Sequence, residues 1–480
     1  MNGSGNPAKF WRLEHAPETV AVIDAQTGLR KTYRELRGDV ESAVAGLPVR
    51  KGKLLFLLLA QNRYECIVAY LAALNSGHAL LVVDATLNRE LLEGIVATYA
   101  PDLIFAAGTV ELTQYRRLDS NAFGIWEIAV HPTDPVAIHP SLALLLNTSG
   151  STGSPKLVRL TLENLQANAV SIAAYLELTA NEKPITSLPM AYSYGLSVIN
   201  SHLLVGACLV LTEYGVLRRE FWDGVDRYAC TSLSGVPYTY QMLLQTGLLK
   251  KRGATLRTVT QAGGRLEEPY VRQVHELLAA RGARFFVMYG QTEATARISY
   301  VPWKALPEKA GSIGVAVPGG AMRIETSGEL VYEGPNVMMG YAQSKDDLTN
   351  GDELQGILKT GDLAREDENG FFYITGRIQR FLKLFGKRFN LDELEKILQR
   401  RLDAPVACFG QDDLLMVAIA GAENVDAVET MLRQTFGLPK DTVRVIAVAT
   451  LPRTSNGKID YQALSVSDHQ QQDAANRVTQ

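Results

Sequence analysis

Cysteine is scarce in this chain: four in 480 residues, at Cys66, Cys208, Cys230 and Cys408. No pair has the spacing of a zinc site or a redox motif, so reduced and mostly buried thiols are expected. The seven histidines form no HExxH-like pair, and a histidine-based metal site is not expected. An excess of charge is also missing, with 48 basic residues against 51 acidic and a net charge of -3. That balance gives no broad attraction to nucleic acid or to an anionic membrane. Long apolar runs are absent too. The greasiest stretch, Leu54 to Ala60, has the length of a strand and is too short to span a bilayer. Met1 to His15 contains no apolar core of signal-peptide length. A soluble cytoplasmic protein without membrane insertion is therefore expected. No repeat of solenoid period is present.

What remains is globular composition, 46% hydrophobic and 21% charged. The length suggests about three domains, and one large domain with a small one fits equally well. A chain this long buries enough surface to need no disulfide or metal staple. Strand-like runs alternate with helix-like segments. Leu54 to Ala60, Ala79 to Asp84, Leu103 to Ala106, Leu142 to Leu146, Cys208 to Thr212 and Arg284 to Met288 read as strands. Arg63 to Ser76, Glu163 to Tyr175 and Pro269 to Ala280 read as helices. Such alternation predicts a layered α/β fold.

From about Met322 the pattern changes to short strands and Gly-containing turns, a small β-rich section. Gln379 onward reads as a second, α+β unit of about 100 residues. Its first helix is signalled by Asn390 as N-cap and Glu393 three residues later. Strands Val406 to Phe409 and Leu414 to Ala420, a helix Asp426 to Phe436 and a strand Thr442 to Val448 follow. The expected domains are thus 1–378 and 379–480, with a polar, frayed tail after Leu464.

The strongest local signal follows the strand Leu142 to Leu146. It is the run Thr148, Ser149, Gly150, Ser151, Thr152, Gly153, Ser154, Pro155 and Lys156. Glycines let backbone N–H groups approach phosphate oxygens, hydroxyls add donors, and the lysine adds a point charge. A Walker A loop needs Gly-x4-Gly-Lys-Ser/Thr feeding a helix. Here Leu157 stands in the Ser/Thr place, and Lys156 to Leu160 alternates like a strand.

At this point the sequence resembles the adenylate-forming (ANL) superfamily, which contains acyl-CoA synthetases, stand-alone and peptide-synthetase adenylation domains, and luciferases. Thr148 to Lys156 looks like its phosphate loop. The resemblance starts at Lys31 to Leu36 and covers almost the whole chain. It continues in family order through Tyr289-Gly-Gln-Thr-Glu293, Thr360-Gly-Asp362, Gly376-Arg377 with Lys383 and Gly386, and Pro452 to Lys458. It implies a large N-terminal adenylation domain and a small mobile C-terminal domain carrying a catalytic lysine. It also implies ATP and Mg²⁺ as requirements and a small-molecule carboxylic acid as substrate.

The chemistry has a physical rationale. A carboxylate is a poor electrophile because its leaving group would be oxide, and transfer of AMP supplies a better one. The site must bring ATP, magnesium and the acid together and neutralise charge at the α-phosphorus. By resemblance, Tyr289 with Gly290 lies near adenine, Thr292 contacts phosphate, and Glu293 holds Mg²⁺. Oxygen ligation suits that hard cation. Asp362, in a Thr-Gly-Asp turn, accepts both ribose hydroxyls, and Arg377 lies on the nucleotide side. Gly263 and Gly264 let the backbone approach the adenine or the acyl group. Lys458 bridges carboxylate and α-phosphate in the first half-reaction. The face at Lys383 and Gly386 then forms a thiol channel after a hinge rotation. The hinge departs from the family pattern: the usual Asp or Lys is Gln379 here.

Candidate acyl-pocket residues are Tyr192, Tyr194, Gly195, Val236, Tyr238 and Ala262. Relatives that activate α-amino acids usually carry an aspartate at the position matching Gly195. An unpaired buried ammonium is costly, so an ordinary α-amino acid is disfavoured. Arg297 reads as a structural ion pair, with a second carboxylate on the substrate as the alternative. Past Lys458 the sequence given is too short for a carrier-protein domain, so a separate acceptor is expected, CoA or a free-standing carrier protein, with CoA favoured. Three functions stay open: an ATP-dependent acid–thiol ligase, a non-catalytic nucleotide-binding protein that kept the fold, and an oxidising, luciferase-like member. The oligomeric state is not specified by the sequence.

Overall fold

The computed structural model describes residues 8–87, 89–107, 112, 114–118, 124–128, 137–147, 156–377, 381–384, 387–402, 404–411, 413–421, 425–439, 442–452 and 464. By internal contacts the chain divides into two compact units, with a boundary between Ile378 and Gln379.

The larger unit is built on an eight-stranded mixed sheet. Its centre is four parallel strands, Leu142–Asn147, Ala79–Asp84, Leu55–Ala60 and Leu103–Ala106. These are buried almost throughout, as strands covered on both faces require, which is why they read as unbroken apolar runs. Helix Tyr64–Ser76 makes the crossover between two of them and ends at Gly77, whose φ of 76° is the left-handed cap glycine favours. The outer strands run antiparallel. On one side are Gly124–Ile128 and Tyr115–Leu118, which sequence patterning misses because Arg116 and Arg117 break the apolar run. On the other are Leu157–Thr161 and Gly340–Ala342.

Leu157–Thr161 is a strand, but it does not alternate. It is buried from Leu157 to Leu160, with Arg159 wholly inside.

A five-stranded sheet carries Ser232–Gly235, Thr258–Gln261 and Arg284–Tyr289 in parallel, followed by the short antiparallel strands Ser299–Tyr300 and Val315–Ala316. A three-stranded sheet (Leu209–Leu211, Val20–Asp24, Arg30–Thr32) joins it through bridges at Pro184 and Ile185. The β-rich section is a four-stranded antiparallel sheet of Ala321–Ile324, Glu329–Glu333, Ile357–Glu366 and Phe372–Arg377.

The smaller unit has its own core. A hairpin, Phe381–Leu384 with Lys387–Asn390, and a three-stranded sheet, Val406–Gln411, Leu414–Ala420 and Val443–Val448, pack with helices Leu391–Leu402 and Val425–Phe436. The architecture is the expected one, a large α/β part followed by a small α+β part. All four cysteines are free and buried. No described helix is long and apolar enough to cross a membrane.

Candidate active site

Three parallel strands of the five-stranded sheet end side by side, and each end carries candidate residues. Ser232–Gly235 leads to Val236, Thr258–Gln261 to Ala262, Gly263 and Gly264, and Arg284–Tyr289 to Gly290. The carboxyl ends of such strands are where open α/β sheets form ligand crevices. Two of these glycines are dictated by close approach. Gly263 has φ 82°, and a Cβ there would meet the Tyr192 hydroxyl at 2.5 Å and Val236 Cγ1 at 3.2 Å. A Cβ on Gly290 would lie 1.9 Å from the carbonyl oxygen of Ala296. Gln261 is fully buried and donates from Nε2 to the Gly264 carbonyl at 2.8 Å, which shapes the loop.

The two motifs expected to hold the nucleoside meet directly. The Tyr289 hydroxyl donates to Asp362 Oδ2 at 2.5 Å, and Gln291 Nε2 reaches the Tyr289 hydroxyl (3.2 Å) and the Thr360 carbonyl (3.1 Å). Burial, then the negative charge of Asp362, holds the Tyr289 phenol well above its ordinary range, so it stays a donor. Thr-Gly-Asp is not a turn, as composition suggested, but a bulge inside the strand Ile357–Glu366. The register against Glu329–Glu333 slips there, and Gly361 takes φ 72°. A bulge re-aims the next side chain, here the buried Asp362. Thr360 fixes it by accepting from the Asp362 N–H (3.2 Å) and donating to the Leu330 carbonyl (2.7 Å). Arg377 sits at the strand position paired with Asp362.

The residues expected on the phosphate side also converge. Lys156 Nζ lies 3.6 Å from the centroid of the Tyr341 ring, and the Tyr341 hydroxyl donates to Glu293 Oε1 at 3.0 Å. The Thr292 and Ser193 hydroxyls are 3.1 Å apart. Tyr341 was not singled out from sequence. Its signal is its pairing with the strand that follows Lys156, Tyr341 opposite Val158. Two further residues hold this arrangement. Arg159 is fully buried and donates to the carbonyls of Tyr341 (3.1 Å), Asn350 and Gly351 (3.2 Å), with Glu353 at 3.0 Å. Asn336 donates from Nδ2 to the carbonyls of Ala294 (2.8 Å) and Arg297 (2.9 Å), while its own carbonyl accepts from Thr295 Oγ1 (2.7 Å). That clamp holds Thr295 at φ 63°, a conformation rare for a β-branched residue.

The acyl candidates are less uniform. Tyr194 is buried and its hydroxyl contacts Thr260 O at 2.9 Å and Oγ1 at 2.8 Å. Ala262 is buried, whereas Tyr238 is 41% exposed on the first turn of helix Pro237–Thr246. Gly195 is a packing glycine: a Cβ there would lie 2.2 Å from the Pro189 carbonyl oxygen. Arg297 does not make the ion pair expected of it; no carboxylate pairs with it among the described residues.

In the smaller unit, Lys383 pairs with Arg388 across the hairpin, and its carbonyl accepts from Asp413 N at 2.7 Å. Thr148 to Pro155, Gln379, Gly386 and Lys458 lie outside the described residues.

Among the described residues no group of three or more His, Cys, Asp or Glu side chains is gathered to hold a metal. The donor set at Glu293, one carboxylate next to a lysine, fits a magnesium ion brought in on phosphate oxygens rather than one caged by protein.

Residues 10–342 match the profile of a family described as AMP-binding enzyme. The chain belongs to that family. This AMP-binding enzyme is 26% identical over 483 residues to a 2-succinylbenzoate–CoA ligase of Listeria monocytogenes, covering 94% of this chain and 97% of that one. It is 28% identical over 497 residues to an L-proline–[L-prolyl-carrier protein] ligase of Pseudomonas fluorescens, with 94% and 97% covered. Its fold is similar to that of a double mutant of o-succinylbenzoate CoA synthetase from Bacillus subtilis bound to a product analogue. That TM-score is 0.76 at 23% identity, over 95% of this chain and 98% of the other.

Proposed function

We propose that this AMP-binding enzyme is an ATP-dependent acid–thiol ligase. A carboxylate oxygen of the substrate attacks the α-phosphorus of ATP, the bond to the bridging oxygen breaks, and pyrophosphate leaves. The acyl-AMP so formed is then attacked at its acyl carbon by a thiol; AMP departs and a thioester remains. The observation that carries this reading is the joining of the two nucleotide motifs through Tyr289 and Asp362 next to the Lys156–Tyr341–Glu293 array.

The residues divide the work. Asp362 accepts from the ribose hydroxyls, with its own position fixed by Tyr289 and by the bulge at Gly361. Gly263, Gly264 and Gly290 keep the strand ends free of side chains where the nucleotide and acyl group lie. Thr148 to Gly153 and Lys156 neutralise phosphate charge, joined by the Thr292 hydroxyl. Glu293 would hold magnesium, which when bound supplies further neutralisation at the phosphates. Lys458 bridges the carboxylate and the α-phosphate, and Gln379, Lys383 and Gly386 serve the hinge and thiol channel.

CoA is the favoured thiol. A carrier protein is the alternative, since one relative is a carrier-protein ligase. Incubation with ATP, Mg²⁺ and a panel of acids, with and without CoA, tests the reading by mass spectrometry. Pyrophosphate and acyl-AMP should form only when an acid is present, and free AMP with an acyl-CoA only when CoA is added as well. AMP formation that ignores the acid overturns it.

A further inference from the structure

Arg297 is a buried cation without a counter-ion among the described residues. The residue is 1% exposed, and among the described residues neither Nε nor Nη1 has a hydrogen-bond partner. The fold treats its other wholly buried arginine differently. Arg159 meets three carbonyls and the carboxylate of Glu353. Arg159 thus has a carboxylate and three carbonyls of the protein around it, whereas among the described residues no carboxylate pairs with Arg297.

The surroundings of Arg297 are aromatic. Its guanidinium carbon lies 3.9 Å from the centroid of Tyr194. Its charge favours the ionised forms of Tyr175 and Tyr192, and a hydrogen bond with the guanidinium adds to this at Tyr175, against the stronger effect of burial. A ring face offsets only part of the desolvation of a buried cation, and an anion with lone pairs for the idle N–H groups offsets far more. A carboxylate matches the guanidinium fork in charge and geometry.

The location links this cation to the acid-activating site. A Cβ on Gly290 would come within 2.9 Å of Arg297 Cα, so the residue is packed against the Tyr289–Glu293 motif. Tyr194 stacks on Arg297 and approaches Tyr192 edge-on at 6.1 Å between centroids, and the Tyr192 hydroxyl faces Gly263. The Asn336 clamp grips the backbone of Arg297 itself, at its carbonyl. The backbone of Arg297 is therefore held in place, while Nε and Nη1 of its guanidinium have no hydrogen-bond partner among the described residues.

We propose that Arg297 receives a second carboxylate of the acid being activated, so that the substrates are dicarboxylic acids. One carboxyl becomes the mixed anhydride with AMP; the other pairs with the guanidinium. This rests on the ligase reading above and names its substrate class.

The test is pyrophosphate release by the wild-type enzyme with aliphatic and aryl dicarboxylic acids, each beside its own monomethyl ester. For the best acid, kcat/KM should exceed that of its ester by at least about a hundredfold, because a site built for a polar group rejects the analogue lacking it. In Arg297→Met that ratio should fall to below about tenfold, and Arg297→Lys should restore part of it. Release with monoacids or esters at rates equal to or above those of the diacids overturns the proposal and leaves the ligase reading standing. So does an unchanged ratio in a folded Arg297→Met. Release with no acid of any kind overturns the ligase reading and the proposal together. The wild-type comparison decides even where a variant does not fold.

Discussion

The hydroxyl of Tyr341 is bonded to the carboxylate of Glu293 at 3.0 Å, and the same ring seats the ammonium of Lys156 3.6 Å from its centroid. One side chain thus spaces the two charged groups that the ligase reading assigns to the phosphates and their magnesium. Tyr341→Phe keeps the ring and removes the bond to Glu293. A hydrogen bond to a charged group contributes about 1.5–3 kcal/mol, so KM for Mg-ATP should rise by about tenfold or more. Tyr341→Ala, which also removes the seat for Lys156, should do worse. Initial rates across ATP and Mg²⁺ concentrations check this; a phenylalanine variant with unchanged KM would contradict it.

Gly195→Asp places an acid where relatives that activate amino acids usually carry one. Here the new Cβ would lie 2.2 Å from the Pro189 carbonyl oxygen. Backbone must move, at an expected loss of about 2 kcal/mol and on the order of 5 °C in Tm. Amino-acid activation should not appear. Calorimetry and an amino-acid panel read the two outcomes, and a stable variant that activates amino acids would be the contrary result.

His202 is buried, with Nδ1 2.8 Å from the Val198 carbonyl. Burial lowers its pKa to about 4, against favourable contributions from Val198 and Glu182. The folded state therefore refuses a proton that the unfolded chain accepts below about 6.5. Stability linked to His202 is complete above pH 6.5 and is lost as pH falls from there toward 4, by about 3 kcal/mol at most. Chemical denaturation of wild type and His202→Asn between those limits should show the wild type losing more; parallel curves would contradict the assignment.

Lys458→Ala should lower adenylation by at least about a hundredfold, as loss of a transition-state charge partner does. Thioester formation from supplied acyl-AMP should stay within a few-fold of wild type. Measuring the half-reactions separately tests this, and near-normal adenylation by the variant would sink it.

Much of the architecture was legible because parallel strands buried on both faces leave plain apolar runs, as at Leu55–Ala60 and Ala79–Asp84. The motifs of the larger unit could be picked out by their order, and the fold brings Tyr289 to Asp362 and Glu293 to Tyr341 beside Lys156. What escaped depends on contacts between distant segments. Tyr341 and Asn336 sit in a stretch with no periodicity, and only the fold brings them to Lys156, Glu293 and Arg297. The bulge at Gly361 has the composition of a turn, and strand pairing alone distinguishes the two. Arg297 read as half of a structural ion pair, with a substrate carboxylate as the alternative. Nothing local in the sequence shows that no carboxylate among the described residues reaches it.

The most direct test of the ligase reading is ATP–pyrophosphate exchange over fatty, aryl, hydroxy, dicarboxylic and amino acids, with Asp362→Ala as control. Exchange that requires an acid, and falls at least about a hundredfold in the control, is the predicted result. The absence of exchange with every acid would contradict it and favour a nucleotide-binding protein without catalysis.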